Sequence, residues 1–251
     1  MFVTAATECF PELGTDAVLE QLIDLGFTSV ELALHESAPN AWVRPSEVLA
    51  DLEGAIAKCG DTKRMDIAAL SVEIEAEGDA YYEQFEAICK LAKATKVVTL
   101  IVPSSPLGTP FNEEIERLKK LVAFAALEGA VVALRTEIDC MTQDVDTAVV
   151  FCQHVKGLGL AFDPSCYLTG PHQGKPIDKL LPHVRHVHLR DSTKDEFQVR
   201  VGQGEIDYGK LVTQLGRSKY RRALAVAMTP IEGLEHPPEV RKLRLLLDSL
   251  L

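Results

Sequence analysis

Two kinds of segment alternate along this chain from end to end. Short, almost continuously apolar runs cover Phe2–Ala6, Ser29–Leu34, Asp66–Val72, Val97–Val102, Val131–Arg135, Gly159–Phe162, Val184–Leu189 and Ala223–Ala227. Strands covered on both faces read this way, as in a parallel sheet. Between them lie longer stretches with apolar residues at helical spacing, such as Ile115, Leu118, Leu121, Val122 and Ala125 ahead of Gly129. Similar faces run through Ala17, Leu19, Leu22 and Ile23 to Gly26, and through Val48, Leu52 and Ile56 to Gly60. A short helix is expected over Ile177, Leu180 and Leu181. Eight strands alternating with eight helices predict an α/β fold, a (β/α)8 TIM barrel forming a single domain over residues 1–251. An open doubly wound sheet is the main rival. Against it, no GxGxxG follows the first run, and eight units are what closure requires.

Composition narrows the class. Of 251 residues, 47% are hydrophobic and 25% charged, the balance of a globular chain able to bury a large core. The formal net charge of -11 repels phosphate backbones, so no nucleic-acid partner is expected. The opening MFVTAATECF lacks a basic segment followed by an apolar run, and no stretch approaches 18 apolar residues. A cytoplasmic chain with no membrane partner is therefore expected. Six cysteines without a CxxC pair read as reduced thiols. A homodimer is the common state for soluble barrels.

In such barrels the chemistry sits where strands run out into the following loops. The polar residues there include Glu31 and His35 in the second run and Glu73 at the end of the third. The fifth gives Arg135, Thr136 and Glu137, and the sixth Asp163, Ser165 and Cys166. In HVRHVHLRDS, alternation puts His186, His188 and Arg190 on one face and Val187 and Leu189 on the other. If Val132 and Leu134 face the helices, then Arg135 and Glu137 face inward. A one-residue shift presents Thr136 instead, and periodicity leaves that register open. Asp163 is costly to bury unpaired; a turn or cap role before Pro164 is its plainer reading. A carboxylate from strand five, another from strand six and an imidazole from strand seven would converge on one point. Two oxygens and one nitrogen suit Mn²⁺, Zn²⁺, Mg²⁺ or Co²⁺, and such an ion polarises a carbonyl.

The sequence at this point resembles the xylose isomerase-like barrel superfamily of sugar phosphate isomerases and epimerases, ketose 3-epimerases, inosose dehydratases and abasic-site nucleases. The likeness rests on LIDLGFTSVEL (22–32), the Asp163 segment, HVHLRDS (186–192) and VGQGEIDYGKLV (201–212). It implies a metal held by Glu137, Asp163 and His188, with Glu31 in the pocket. It also implies that Arg200 and the Gly202–Asp207 turn lie near substrate. Two positions depart from the family pattern. Cys166 stands where a substrate-contacting His is usual, and Ala227 or Met228 where strand eight usually carries a Glu that is both ligand and base. The nearest acid there is Glu232.

The resulting expectation is a sugar or polyol isomerase or epimerase working by proton transfer beside a carbonyl. Glu137 or Glu31 is the candidate base, and His188, with a metal or with Arg135, the electrophile. Arg135, His186, Cys166, Arg200 and His35 are candidate substrate contacts. If Arg135 points inward beside Glu137, its fixed charge takes the place of the metal and no cofactor is needed. The alternative is a barrel that binds a sugar or sugar phosphate without turnover. A nuclease is disfavoured by the acidic charge and by histidines scattered away from strand ends.

Overall fold

The computed structural model describes residues 1–251. Eight parallel strands close on themselves in chain order: β1 (Phe2–Ala6), β2 (Ser29–His35), β3 (Asp66–Glu73), β4 (Thr99–Val102), β5 (Val131–Arg135), β6 (Gly159–Phe162), β7 (Val184–Leu189) and β8 (Ala223–Val226). Closure is made by β1 pairing with β8, Val3 opposite Leu224. The fold is thus a TIM barrel, as the alternating pattern predicts.

The helices are α1 (Thr15–Asp24), α2 (Pro45–Ala50), α3 (Leu52–Gly60), α4 (Gly78–Ala94), α5 (Phe111–Leu127), α6 (Val145–His154), α7 (Ser165–Thr169), α8 (Tyr208–Arg217) and α9 (His236–Asp248). Gly26 and Gly129 follow α1 and α5 at φ +87° and +76°, a left-handed geometry that any Cβ would strain. No helix is long and apolar enough to cross a membrane.

Two expected helices are corrected. The stretch from Val48 to Gly60 is broken at Asp51, whose side chain accepts the Gly54 N–H and starts α3 afresh. The short helix after β6 is not at Ile177–Leu181 but at α7. The later stretch holds only a single 3-10 turn, Leu181–His183. Pro182 lacks an N–H and keeps the residue before it out of an extended helix.

The main core lies between barrel and helices. Val132 and Leu134 of β5 belong to it, as do Val187 and Leu189 of β7. Ala69, Ile101, Ala133 and Ala161 form a separate small cluster, the alternate faces of β3 to β6 turned to the barrel axis. Three of the four are alanines, so the longer polar side chains of neighbouring strands extend over them.

Two irregularities lie beside the polar residues. Between β2 and β3 the register slips at Val30/Glu31, leaving Ala68 extra on β3. Between β6 and β7 it slips at Leu160/Ala161, leaving Arg185 extra on β7, next to His186. Such bulges re-aim the side chains that follow them. Gly159 permits the second one, since a Cβ there would lie 2.1 Å from Arg185 Cγ.

Candidate active site

Glu31, fully buried, projects from β2 into the barrel toward two histidines of β7. His188 Nε2 lies 3.0 and 2.9 Å from the two carboxylate oxygens. His186 Nε2 lies 2.6 Å from Glu31 Oε2, off the hydrogen-bond axis, and has no hydrogen-bond partner. All three side chains are buried. Burial alone would raise the Glu31 carboxyl, but the His188 and His186 imidazoles outweigh it and hold it well below its ordinary range. For His188, burial favours the neutral ring and Glu31 overrides it, so its pKa is raised. For His186 burial wins and its pKa falls. The shared carboxylate thus favours a proton on His188 over one on His186.

Above it opens a cavity of about 310 Å³ lined by Arg135, Glu137, Asp163, Cys166, His188 and Arg190, among others. Arg135 does point inward. Its Nη2 donates to Glu73 Oε1 at 2.6 Å, and its Nη1 lies 3.6 Å from Glu137 Oε1. Its Nε is buried without a partner. Glu137 Oε2 accepts the Ser104 N–H at 3.1 Å. Asp163 accepts from Ser165 N at 2.8 Å and from Arg190 Nε at 3.1 Å, while Thr136 Oγ1 accepts the Asp163 N–H. Arg190 also lies over the Phe197 ring, 4.7 Å from its centre. Arg135 and Glu137 both reach the cavity, and so does Thr136.

The remaining candidates fall as follows. Cys166 donates its S–H to Thr136 O at 3.0 Å, and burial pushes its thiol well above its ordinary pKa. His35 meets Ser71 Oγ at 3.2 Å and stands 3.7 Å from both Glu8 and Glu73. Arg200 does not line the cavity. It is half exposed and reaches back to Glu239 of α9 at 3.2 Å. The Gly202–Asp207 turn is held by Asp191, whose Oδ2 accepts the N–H groups of Gly202 and Gly204. At the end of β8, Ala227 donates its N–H to Leu189 O, and Glu232 is exposed and outside the cavity.

Residues not given a role beforehand shape the site. Arg190 and Glu73 were visible only as polar strand ends. Ser104, just after β4, fixes Glu137 through its backbone N–H. Phe197 carries no sequence signal at all.

The fit of a metal to the expected trio can be judged from its donors. Glu137 is engaged by Ser104 and Arg135, Asp163 by Ser165 and Arg190, and His188 Nε2 by Glu31. As arranged, with two guanidinium groups among them, these three residues do not form a vacant ligand set. Glu31, His186 and His188 do bring one donor atom each within 4.8 Å of one another.

A closed parallel barrel with its polar residues gathered at the carboxyl ends of the strands defines the class. Residues 19–249 match the family described as xylose isomerase-like TIM barrel, and the chain belongs to it. No curated protein matches it. Three solved structures illustrate the likeness. A xylose isomerase-like TIM barrel protein from Mycobacterium smegmatis, in complex with magnesium, is 15% identical with TM-score 0.76, covering 100% of this chain and 98% of that one. The IolI protein with a bound zinc atom is also 15% identical, TM-score 0.75, with the same coverage. A 3-keto-D-glucoside 4-epimerase from E. coli is 14% identical, TM-score 0.73, covering 99% of each chain. At these identities the likeness is one of fold.

Proposed function

We propose that this protein is an isomerase or epimerase of a small sugar or polyol, acting by proton transfer beside a carbonyl. The observation that carries the reading is the shared cavity: Glu137, Arg135 and His188 face one space of about 310 Å³, large enough for a small carbohydrate. The epimerase of like fold supports the substrate class.

Glu137 is the base. The Ser104 N–H fixes one carboxylate oxygen and leaves the other toward Arg135. The carboxylate takes the proton from the carbon next to the carbonyl, and the electron pair moves to the carbonyl oxygen as an enediolate. The Arg135 guanidinium, which lines the cavity, supplies positive charge where that negative charge develops. His188 faces the same space, its ring oriented by Glu31. Return of the proton to the other carbon, with the neighbouring hydroxyl proton passing to the enediolate oxygen, isomerises the sugar; return to the other face of the same carbon epimerises it. The expected Glu137–Asp163–His188 ion is not needed for this route, and no step passes through it.

The second reading, a barrel that binds without turnover, is favoured by one feature. The end of β8 offers Ala227 and a buried Met228 where a second acid would complete a two-base epimerase.

Incubation with a panel of ketoses in deuterium oxide separates the two. The enzyme reading expects deuterium at the carbon beside the carbonyl, and a loss of about 10²–10⁴-fold in Glu137→Gln. Binding without exchange on every ketose supports the second reading. Undiminished exchange in E137Q removes Glu137 from the mechanism.

A further inference from the structure

We infer that Glu31, His186 and His188 form a cation site of the zinc type, one strand layer below the cavity and separate from the carboxylates of Glu137 and Asp163. The inference does not depend on turnover.

The backbone aims these residues. His186 and His188 are two apart on β7 and share its inner face, and the extra Arg185 re-aims the first of them. Glu31 comes from β2 at the site of the other register slip. Both Nε2 atoms approach the same oxygen, Glu31 Oε2, at 2.6 and 2.9 Å. Two imidazoles thus point at one place.

A hydrogen-bonded cluster explains only half of this. His188 is aligned to Glu31 and His186 is not. Its Nε2 is wholly buried, close to the carboxylate, and without a hydrogen-bond partner. A single proton on His188 satisfies that pair and leaves the second ring idle. A divalent ion would take one lone pair from each ring and one carboxylate oxygen together.

The donor chemistry selects the ion. Two imidazole nitrogens and one oxygen suit zinc or cobalt, whereas magnesium and calcium want oxygen alone. Zinc sits about 2.0–2.1 Å from such donors, which spaces ligand atoms about 3.3 Å apart in a tetrahedron. The donors must therefore part by about half an ångström from the distances above. The register partners of Glu31 and His186 are the small residues Ala69 and Ala161, whose side chains do not oppose that adjustment. His188 lines the cavity, so an ion has a route in from the mouth.

The test is metal binding by the full chain, stripped of ions and titrated with Co²⁺ and then Zn²⁺. One equivalent of cobalt is expected to give the visible absorption of a four-coordinate site and to be displaced by zinc. X-ray absorption of the zinc-loaded wild type should show two imidazole ligands. The double variant E137Q/D163N should keep this spectrum. Glu31→Gln and His186→Gln should each weaken binding by more than the ~10–100-fold typical of groups that only support a ligand. Absence of saturable uptake overturns the proposal. So does a one-imidazole spectrum, or binding lost in E137Q/D163N and kept in H186Q. Should the single variants fail to fold, the ligand count on the wild type decides. Metal uptake is read without substrate and deuterium exchange without added metal, so the two readings fail separately.

Discussion

Arg190 donates through Nε to Asp163 Oδ2 at 3.1 Å, joining the adjacent ends of β6 and β7 inside the mouth of the barrel. Asp163 is almost fully buried and Arg190 mostly so. Removing one partner leaves the other charge desolvated and unmatched, which costs about 3–5 kcal/mol in buried pairs. Arg190→Met should therefore destabilise strongly. Adding Asp163→Asn should recover a good part of the loss. Urea unfolding of the two single variants and the double variant measures the coupling. An R190M protein within ~0.5 kcal/mol of wild type, the range of ordinary surface changes, would show that the pair contributes little.

Gly159 admits the bulge that aims His186. A methyl group there would lie 2.1 Å from Arg185 Cγ and 3.1 Å from His183 O. Gly159→Ala should cost about 1–3 kcal/mol as an overpacked site. Arg185→Ala in the same chain should return part of it, because the nearest clash is with that side chain. Thermal melting of the three variants checks the order. A G159A melt equal to wild type would mean that β7 starts correctly without the glycine.

Asp144 ties the start of α6 to the loop before β7. Its Oδ1 accepts the Thr147 N–H at 3.0 Å and its Oδ2 pairs with Lys175. Burial opposes ionisation, but Lys175 and the Thr147 N–H outweigh it and lower the pKa from 3.8 to about 2. A carboxyl lowered on folding stabilises above its unfolded value and loses that contribution as pH falls. Asp144→Asn keeps the cap and removes the charge. Wild type should lead D144N by ~0.2–1 kcal/mol at pH 7, the range of exposed pairs. That lead should shrink between pH 4 and pH 2, as read by denaturant unfolding at each pH. A lead constant down to pH 2 contradicts the assignment.

Thiol reactivity should follow burial. Burial pushes Cys9, Cys59, Cys89 and Cys152 up to about 12, and the partly exposed Cys140 to about 11. Iodoacetamide at pH 8 should label Cys140 first, and slowly, with the others labelled only after unfolding. Mass spectrometry of the digested protein gives the order. Fast labelling of Cys166, which lines the cavity, would reveal an activated thiol.

The barrel was legible because buried parallel strands leave continuous apolar runs, and those at β1, β5, β6 and β7 coincide with the observed strands. The ends of β2 and β3 each extend one residue further, to His35 and Glu73, where a polar side chain ends the apolar run but not the ladder. The break at Asp51 was hidden because apolar spacing carries on through it. At the site, chain order alone puts Glu137, Asp163 and His188 at one mouth, since β5, β6 and β7 are neighbours. The pairings of Arg135 with Glu73 and Arg190 with Asp163 were not legible, because they depend on which way long side chains turn. The meeting of Glu31 with His186 depends on two bulges, at Ala68 and Arg185, that leave no periodic trace.

The polar groups of the mouth hang from separate strand ends, and the ladder of backbone hydrogen bonds, not contact among those groups, keeps each end in place. A substitution at one end therefore leaves the backbone of its neighbours standing, even where it unpairs a side chain. An arginine can take over from an ion, or an alanine from an acid, one position at a time. The cylinder that carries them keeps its shape through each exchange, so this architecture lets chemistry drift by single steps.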